Sequence, residues 1–290
     1  MIVIFGALVV LGSVAGGFLM EGGNLKALLH LSELVIIGGS GLGALIIMSP
    51  KKVLIELLHQ LVSTLKGAPY NRASYEELLK ALYELFLLGR RNGMIALEDH
   101  IMNPQTSTIF TRYPSFLQNK GAVEFLCSGL RPIIDGKIKP DQLKMLLEAE
   151  LDTMEEEHHA PISVLTKAAD AMPGFGIVAA VLGIVLTMSA IAGPIETIGE
   201  KVAAALVGTF LGIFISYGFM NPLAVNMEFL CASKAAYSKC ISSAVIGFAN
   251  GMAPIMAVEV ARRALGSDVK PSAEELETML KALNNQGKAP

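Results

Sequence analysis

The sequence has no tryptophan, few charged residues and almost no excess of one charge. Of its 290 residues, 17% are charged, 52% are hydrophobic, and the net charge is −3. Soluble domains contain about 25% charged residues, so this composition argues against an ordinary soluble enzyme and against a disordered chain. The weak net charge also argues against nucleic acid as a partner, because nucleic-acid-binding domains are basic.

Cysteine is scarce as well. Cys127, Cys231 and Cys240 lie far apart and form no CxxC pair. An odd number at such spacings excludes a disulfide framework, and without a Cys/His cluster we expect no structural zinc site and no cofactor. The sequence also shows no nucleophile–base set and no phosphate-binding loop, so we expect a protein that is not an enzyme.

Long apolar runs are abundant instead. Four uncharged runs reach the roughly 17–25 residues that cross a bilayer as a helix. They are residues 2–20, 34–50, 171–195 and 202–227. A fifth run, residues 241–258, contains Ser, Asn, Gly and Pro, so we interpret it as a buried cytoplasmic helix, with a fifth span as the alternative. No Lys or Arg precedes Lys26, so the first run lacks the basic start of a signal peptide and is expected to be retained.

Basic residues orient these spans. Residues 51–167 contain 14 Lys or Arg and residues 223–290 contain 7, whereas the links at 21–33 and 193–201 contain one each. Cytoplasmic segments are enriched in Lys and Arg. We therefore predict a multi-pass protein of a bacterial inner membrane with both termini in the cytoplasm.

The predicted fold class is all-α, a polytopic membrane protein with four transmembrane helices arranged two plus two and a helical cytoplasmic domain. Residues 1–50 are expected to form spans 1 and 2, and residues 51–170 the cytoplasmic domain. Residues 171–228 are expected to form spans 3 and 4, and residues 229–290 cytoplasmic C-terminal helices and a tail. Ser74 with Glu77, and Ser272 with Glu275, have the spacing of helix capping boxes.

Prolines mark further expected helix ends. Pro140 is expected to begin a cytoplasmic helix that ends in the acidic run at residues 155–157. Proline fits a first helical turn and interrupts a helix interior, so Pro173 is expected to open span 3 and Pro222 to close span 4. Read alone, each of these two prolines is equally consistent with a helix boundary and with a hinge.

Spans 3 and 4 contain small residues rather than charges. Gly208 and Gly212 have the GxxxG spacing that lets helices approach closely, which is typical of membrane packing in general and also of an oligomer or a partner helix. Thr209 is the lone hydroxyl near the middle of span 4; its two interpretations are a hydrogen bond within its own helix and an ion-path ligand. A proton path without a carboxylate is incomplete, so we expect a partner protein to bring one.

Taken together, these motifs resemble the flagellar motor stator family MotA over nearly the whole chain. The resemblance rests on residues 89–94 (GRRNGM), 97–98 (LE), 103–104 (NP), 173–180 (PGFGIVAA), 207–213 (VGTFLGI) and 217–222 (YGFMNP). It implies a subunit that conducts protons together with a MotB-like, peptidoglycan-anchored partner supplying the ion-binding Asp. It also implies a ring of five subunits around two partner copies in the lipid bilayer, and torque on the rotor protein FliG.

The resemblance also implies residue roles. Arg90 and Glu98 correspond to the family's torque residues, although without the family the favoured interpretation is a helix-end charge for Arg90 and a solvated charge for Glu98. Pro173 and Pro222 correspond to its conformational-coupling prolines, and Thr209 to its ion-path threonine.

Two alternatives stay open. The half of span 3 around Ala180 has no side-chain oxygen, which favours protons over sodium, but selectivity also depends on the partner. An ExbB/TolQ-like proton-driven energiser subunit is the alternative function, and those proteins usually have three spans. A solute transporter is disfavoured because neither broken helices nor internal repeats are evident.

Overall fold

A computed structural model of the chain describes residues 2–28, 30–67, 70–189 and 191–286. Over these residues the chain forms helices joined by turns and contains no strand, which confirms the all-α prediction. The helices are α1 (Ile2–Met20), α2 (Leu31–Met48), α3 (Lys51–Lys66), α4 (Arg72–Asn92), α5 (Glu98–Met102), α6 (Pro114–Gln118), α7 (Lys120–Ile134), α8 (Pro140–Ser189), α9 (Ile195–Ile215), α10 (Asn221–Ala249), α11 (Pro254–Arg263) and α12 (Ala273–Gln286).

Four helical segments are long and apolar enough to cross a membrane, as the sequence predicts. They are Ile2–Met20, Leu25–Met48, Pro140–Ser189 and Ile195–Ala249. The first coincides with the expected run. In the second, α2 begins at Leu31 rather than at residue 34, so Glu33 belongs to the helix and not to the link before it.

The chain divides into two compact units. One, the spanning unit, comprises Met1–Gly67 and Glu157–Leu230; the other, the core unit, comprises Ala68–Glu156 and Cys231–Pro290. Helices α8 and α10 contribute residues to both. In the spanning unit, α1 has no buried residue, whereas α2 buries one face through Glu33, Ile37 and Gly41.

The core unit is built on α4, whose Leu, Tyr and Phe residues recur at helical spacing and are buried. Asn71 caps this helix by accepting a hydrogen bond from the Ser74 backbone N–H at 2.9 Å. The predicted capping box at Ser74 and Glu77 is therefore wrong, because Asn71 is a strong cap and starts the helix earlier. Glu77 instead accepts a hydrogen bond from the Ser115 backbone N–H at 2.8 Å.

The second capping box and the fifth apolar run lie in the same unit. Ser272 and Glu275 form the predicted reciprocal hydrogen bonds at 2.6 and 3.1 Å. Residues 241–249 are largely buried, as expected for this run, whereas residues 250–253, 255 and 256 are exposed. The run forms two helices rather than one: the end of α10 and the start of α11, separated by a turn in which Gly251 has φ +78°. Only glycine adopts that angle without strain.

The three prolines follow the prediction only in part, since Pro140 begins a helix as expected. Pro140 begins α8, but this helix continues past the acidic run to Ser189, and Pro173 lies in its interior. The interpretation of Pro173 as a helix boundary is therefore wrong, whereas the point along α8 at which span 3 begins stays a prediction. An interior proline costs about 3 kcal/mol, whereas ending a helix inside a membrane leaves several backbone groups without partners.

Pro222 does not mark a helix end either. It lies in the first turn of α10, directly after a π-helical turn at Ser216–Met220, and the chain stays helical throughout. A π turn accommodates the backbone carbonyl that loses its N–H partner at a proline. The helical conformation therefore continues from α9, through a local distortion, into α10.

Candidate functional site

The spanning unit is organised around a close crossing of α8 and α9. A Cβ atom at Gly212 would lie 2.7 Å from the Met172 carbonyl oxygen, and one at Gly176 would lie 2.9 Å from the Gly208 carbonyl oxygen. These distances are shorter than real Cβ contacts, so the two backbones touch. The GxxxG spacing in span 4 thus serves close helix contact, as small residues do in membranes.

This contact extends along both helices and places Ala180. A Cβ atom at Gly208 would lie 3.0 Å from Ala179 Cβ and 3.6 Å from the Ala180 backbone nitrogen. A Cβ atom at Gly183 would lie 2.8 Å from Ala205 Cβ. Ala180 is therefore next to the glycine contact.

Thr209 follows Gly208 directly, so the two ion-path candidates, Thr209 and Ala180, both adjoin the Ala179–Gly208 contact. Thr209 is half-buried, and its hydroxyl makes no hydrogen bond with the residues that the structure describes. By contrast, the Thr187 hydroxyl donates to the carbonyl of Gly183 at 2.8 Å within its own helix. The Thr209 hydroxyl thus keeps its donor and both lone pairs for another partner.

A carboxylate lies at the same contact and was missed by sequence reasoning. Glu33 is 6% exposed, and its Cγ lies 3.4 Å from the position of a Cβ on Gly208. The Ser32 hydroxyl donates a hydrogen bond to Glu33 Oε2 at 2.7 Å. The available signal was the spacing of Glu33, Ile37 and Gly41, which puts all three on one face of a helix.

The two prolines that the resemblance assigns to conformational coupling occupy distinct places in the spanning unit. Pro173 follows Met172, whose carbonyl contacts Gly212, so Pro173 adjoins the α8–α9 crossing. Pro222 follows the π-helical turn, in which Ser216 is fully buried and accepts a hydrogen bond from the Asn221 amide at 3.4 Å. Both prolines therefore lie where the regular helical hydrogen bonding is interrupted.

Arg90 and Glu98 lie in the core unit. Arg90 is in the last turn of α4, and Glu98 is the first residue of α5; both are exposed. A Cβ atom on Gly89 would lie 3.0 Å from the Leu97 side chain, so the two charges flank a packed pair. Neither forms an ion pair with another described residue.

Some other charges of the core unit are paired. Arg112 binds Glu84 at 2.8 Å, and the Tyr113 hydroxyl donates to the same carboxylate at 2.9 Å. Burial, together with the neighbouring Glu84 carboxylate, raises the pKa of Tyr113. The structure therefore leaves Arg90 and Glu98 as accessible, uncommitted charges while Arg112 is held within the unit.

Among the described residues, no group of three or more His, Cys, Asp or Glu side chains is arranged to hold a metal ion. The arrangement in the spanning unit thus offers hydroxyl, carboxylate and backbone groups at a close helix contact, and the one in the core unit offers exposed charge.

Comparison with known proteins covers both halves of the chain. Residues 4–93 match the family model Motility protein A N-terminal, and residues 118–228 match the MotA/TolQ/ExbB proton channel family. Motility protein A of Escherichia coli is 39% identical over 285 residues, which is 98% of this chain and 97% of the relative. Chemotaxis protein LafT of Vibrio parahaemolyticus is 36% identical over 275 residues, which is 95% of this chain and 96% of the relative.

Solved structures share the fold. The C. jejuni MotAB structure has a TM-score of 0.77 at 22% identity, covering 93% of this chain and 98% of the matched chain. The flagellar MotAB stator complex from Bacillus subtilis has a TM-score of 0.73 at 23% identity, covering 95% and 98%. Because it is related to Escherichia coli Motility protein A along nearly its whole length, the chain belongs to the Motility protein A family, within the proton channel proteins that also include TolQ and ExbB.

Proposed function

We propose that this chain is the MotA-type stator subunit of a bacterial flagellar motor and that, with a MotB-like partner, it conducts protons and turns their flow into torque. The observation that carries the proposal is the α8–α9 crossing, which places Thr209 and Ala180 beside a glycine contact between two membrane spans. The match of residues 4–93 to a motility-specific model favours the motor over the ExbB/TolQ-like energiser.

The partner in this proposal is a peptidoglycan-anchored subunit that contributes one membrane helix with an ion-binding Asp. Two features support it. Spans 3 and 4 carry no ionisable residue between Asp170 and Glu196 or between Lys201 and Glu228. The link between α1 and α2 is also too short to form a domain that grips the cell wall. The solved relatives, in turn, are named as MotAB complexes.

Assembly into a ring, as five copies around two partner copies, is part of the same proposal. The spanning unit leaves large apolar side chains uncovered, such as Phe5 at 70% exposure and Leu206 at 68%. Lipid tails and neighbouring helices are the surroundings that such surfaces suit. The assembly lies in the inner membrane as a multi-pass protein, with both termini in the cytoplasm.

The domain organisation follows from that orientation. Residues 1–50 and 171–228 supply the spans, residues 51–170 form the rotor-facing cytoplasmic domain, and residues 229–290 add the C-terminal helices. Arg90 and Glu98 face complementary charges on the rotor protein FliG. Charged contacts of this kind supply steering and specificity more than affinity, which suits a contact that must form and break repeatedly.

Coupling between ion flow and movement runs through the prolines. Protonation of the partner's carboxylate removes a charge from a low-dielectric site and changes the helix packing around it. Pro173 adjoins the α8–α9 crossing and Pro222 follows the π-helical turn, so both lie where the backbone has fewer hydrogen bonds to resist bending. Replacing both prolines with Ala is expected to abolish the torque response; a normal torque–speed curve would contradict the role.

The transported ion is the proton, since the inner half of span 3 around Ala180 offers no side-chain oxygen for a dehydrated sodium ion. The test is swimming of a stator-null strain that carries this gene and its partner, in sodium-free medium. We expect swimming that a protonophore stops. Swimming that requires added sodium would contradict the proton assignment. If the chain co-purifies with its partner but the strain swims neither with nor without sodium, the motor assignment is contradicted.

A further inference from the structure

Glu33 is a buried carboxylate of the spanning unit that the proposed mechanism does not use. It is 6% exposed, lies on the buried face of α2 with Ile37 and Gly41, and packs against Gly208 in α9. Gly208 precedes Thr209 and contacts Ala179, the neighbour of Ala180. A titratable group thus lies at the same helix contact as both ion-path candidates.

Few charges face this carboxylate. The helices packed around it contribute none between Asp170 and Glu196 or between Lys201 and Glu228. Lys26 is exposed in a short helical turn, Leu25–Leu28, that packs on α9.

Further polar groups belong to the segments that pack on α2. The first two turns of α9 carry Glu196, Glu200 and Lys201, and Lys201 donates to the Leu186 carbonyl at 3.3 Å. His30 directly precedes α2. Among the described residues, Glu33 has no ion-pair partner, and its side chain accepts a hydrogen bond from the Ser32 hydroxyl.

Glu33 is an ionisable side chain within a helix of the spanning unit that is long and apolar enough to cross a membrane. Ionisable side chains within membrane helices are rare and mark ion paths, because the charged form loses its hydration without gaining a counter-charge. A single hydroxyl donor does not replace the two to four partners that an ionised carboxylate accepts in water. Binding and releasing a proton is the chemistry that intramembrane carboxylates provide in proton relays.

We propose that Glu33 is a proton-binding residue of the ion path, a carboxylate of this chain that exchanges a proton with the partner's carboxylate through water near Thr209. This inference rests on the proposed function. The carboxylate takes one proton from the side of the membrane at which α2 begins, becoming neutral, and releases it towards the partner, becoming charged again. No covalent bond other than O–H forms or breaks.

The test uses the complete complex of this chain with its MotB-like partner in sodium-free vesicles, with proton flux followed by an internal pH-sensitive dye. The variants are Glu33→Gln, Glu33→Asp and Glu33→Ala, and the matched control is Glu21→Gln, an exposed carboxylate in the preceding link. Gln keeps the shape of Glu33 and its hydrogen bond with Ser32, so it removes only the titration.

A positioned acid–base group contributes about 100-fold or more to a proton-transfer step. Because flux also depends on other steps, we expect Glu33→Gln and Glu33→Ala to lower it roughly tenfold and to flatten its dependence on external pH. Glu33→Asp, which still titrates, is expected to keep a pH-dependent flux within about threefold of wild type, and Glu21→Gln to match wild type.

A packing role predicts a different pattern, in which Gln is normal and Ala is impaired. Wild-type flux in Glu33→Gln would overturn the proposal, and so would failure of that variant to co-purify with the partner. Absence of proton flux in the wild-type complex differs from these results, because it contradicts the proposed function itself and, with it, the role of Glu33.

Discussion

Inside the core unit and inside the spanning unit, the helices pack in opposite ways. In the core unit, large side chains fill the interior, and Phe86 stacks on Phe248 with ring centroids 4.4 Å apart. In the spanning unit, backbones meet through Gly176, Gly208 and Gly212, and the large apolar side chains point outwards.

This difference reflects the solvent of each unit. In water, burial of apolar side chains drives folding, so the large residues lie inside. In lipid that drive is absent, and helices associate through close contact of small residues and a few polar groups. The two units should therefore fail in opposite ways: the core unit when a large side chain is removed, and the spanning unit when a small one is added.

The largest expected loss of stability is in the core unit. Phe86→Ala removes a fully buried ring and leaves a cavity, which should destabilise the unit by about 3–5 kcal/mol. The melting temperature of the detergent-solubilised chain, read from dye labelling of the buried Cys240 thiol, should fall by about 10 °C. Ile95→Ala, at a 78% exposed position, is the control and should change stability by less than about 0.5 kcal/mol. Equal melting temperatures for Phe86→Ala and Ile95→Ala would contradict the claim that buried large side chains stabilise the core unit.

A smaller loss is expected from adding one methyl group to the spanning unit. Gly212→Ala places a Cβ 2.7 Å from a backbone oxygen of α8, so the helices must separate, at a cost of about 1–3 kcal/mol. We expect less partner protein to co-purify and swimming to be lost. Gly174→Ala, where a Cβ meets nothing within 4 Å, is the matched control. If Gly212→Ala assembles and swims like Gly174→Ala, the backbone contact is not what holds α8 and α9.

The smallest change in stability is expected at the exposed charges. Arg90→Glu should leave the free energy of unfolding within about 0.5 kcal/mol of wild type, because Arg90 has no partner among the described residues. Swimming should nevertheless slow markedly, with a speed that depends on salt, as expected for a charge that faces a rotor charge. The control is Lys120→Glu, another exposed charge of the core unit. Equal swimming of both variants would argue against the torque role.

Much of the fold could be predicted from the sequence because membrane spans follow from composition alone. Uncharged runs gave the correct number of spans, and the Ser272–Glu275 box gave the start of α12. The start of α4 was misplaced because two capping residues compete there, and Asn71 rather than Ser74 provides the cap. Local patterns do not decide between such competitors.

The site was harder to predict for a physical reason. A charge next to an apolar run normally marks the end of a span, so Glu33 was assigned to a link, although tertiary packing buries it. Likewise, proline normally marks a helix boundary, but Pro173 and Pro222 lie within continuous helical segments. In both cases the membrane environment, which favours an unbroken helix, outweighs the local preference of one residue.

The central claim is that this chain supplies the helical framework of a proton path that is complete only with a partner's carboxylate. The most direct measurement compares proton flux into sodium-free vesicles containing the chain alone with flux into vesicles containing the chain and its MotB-like partner. The account predicts that vesicles with the chain alone show only background proton flux, and that vesicles with the chain and its partner acidify as quickly as vesicles treated with a protonophore. Robust proton conduction by the chain alone would contradict it.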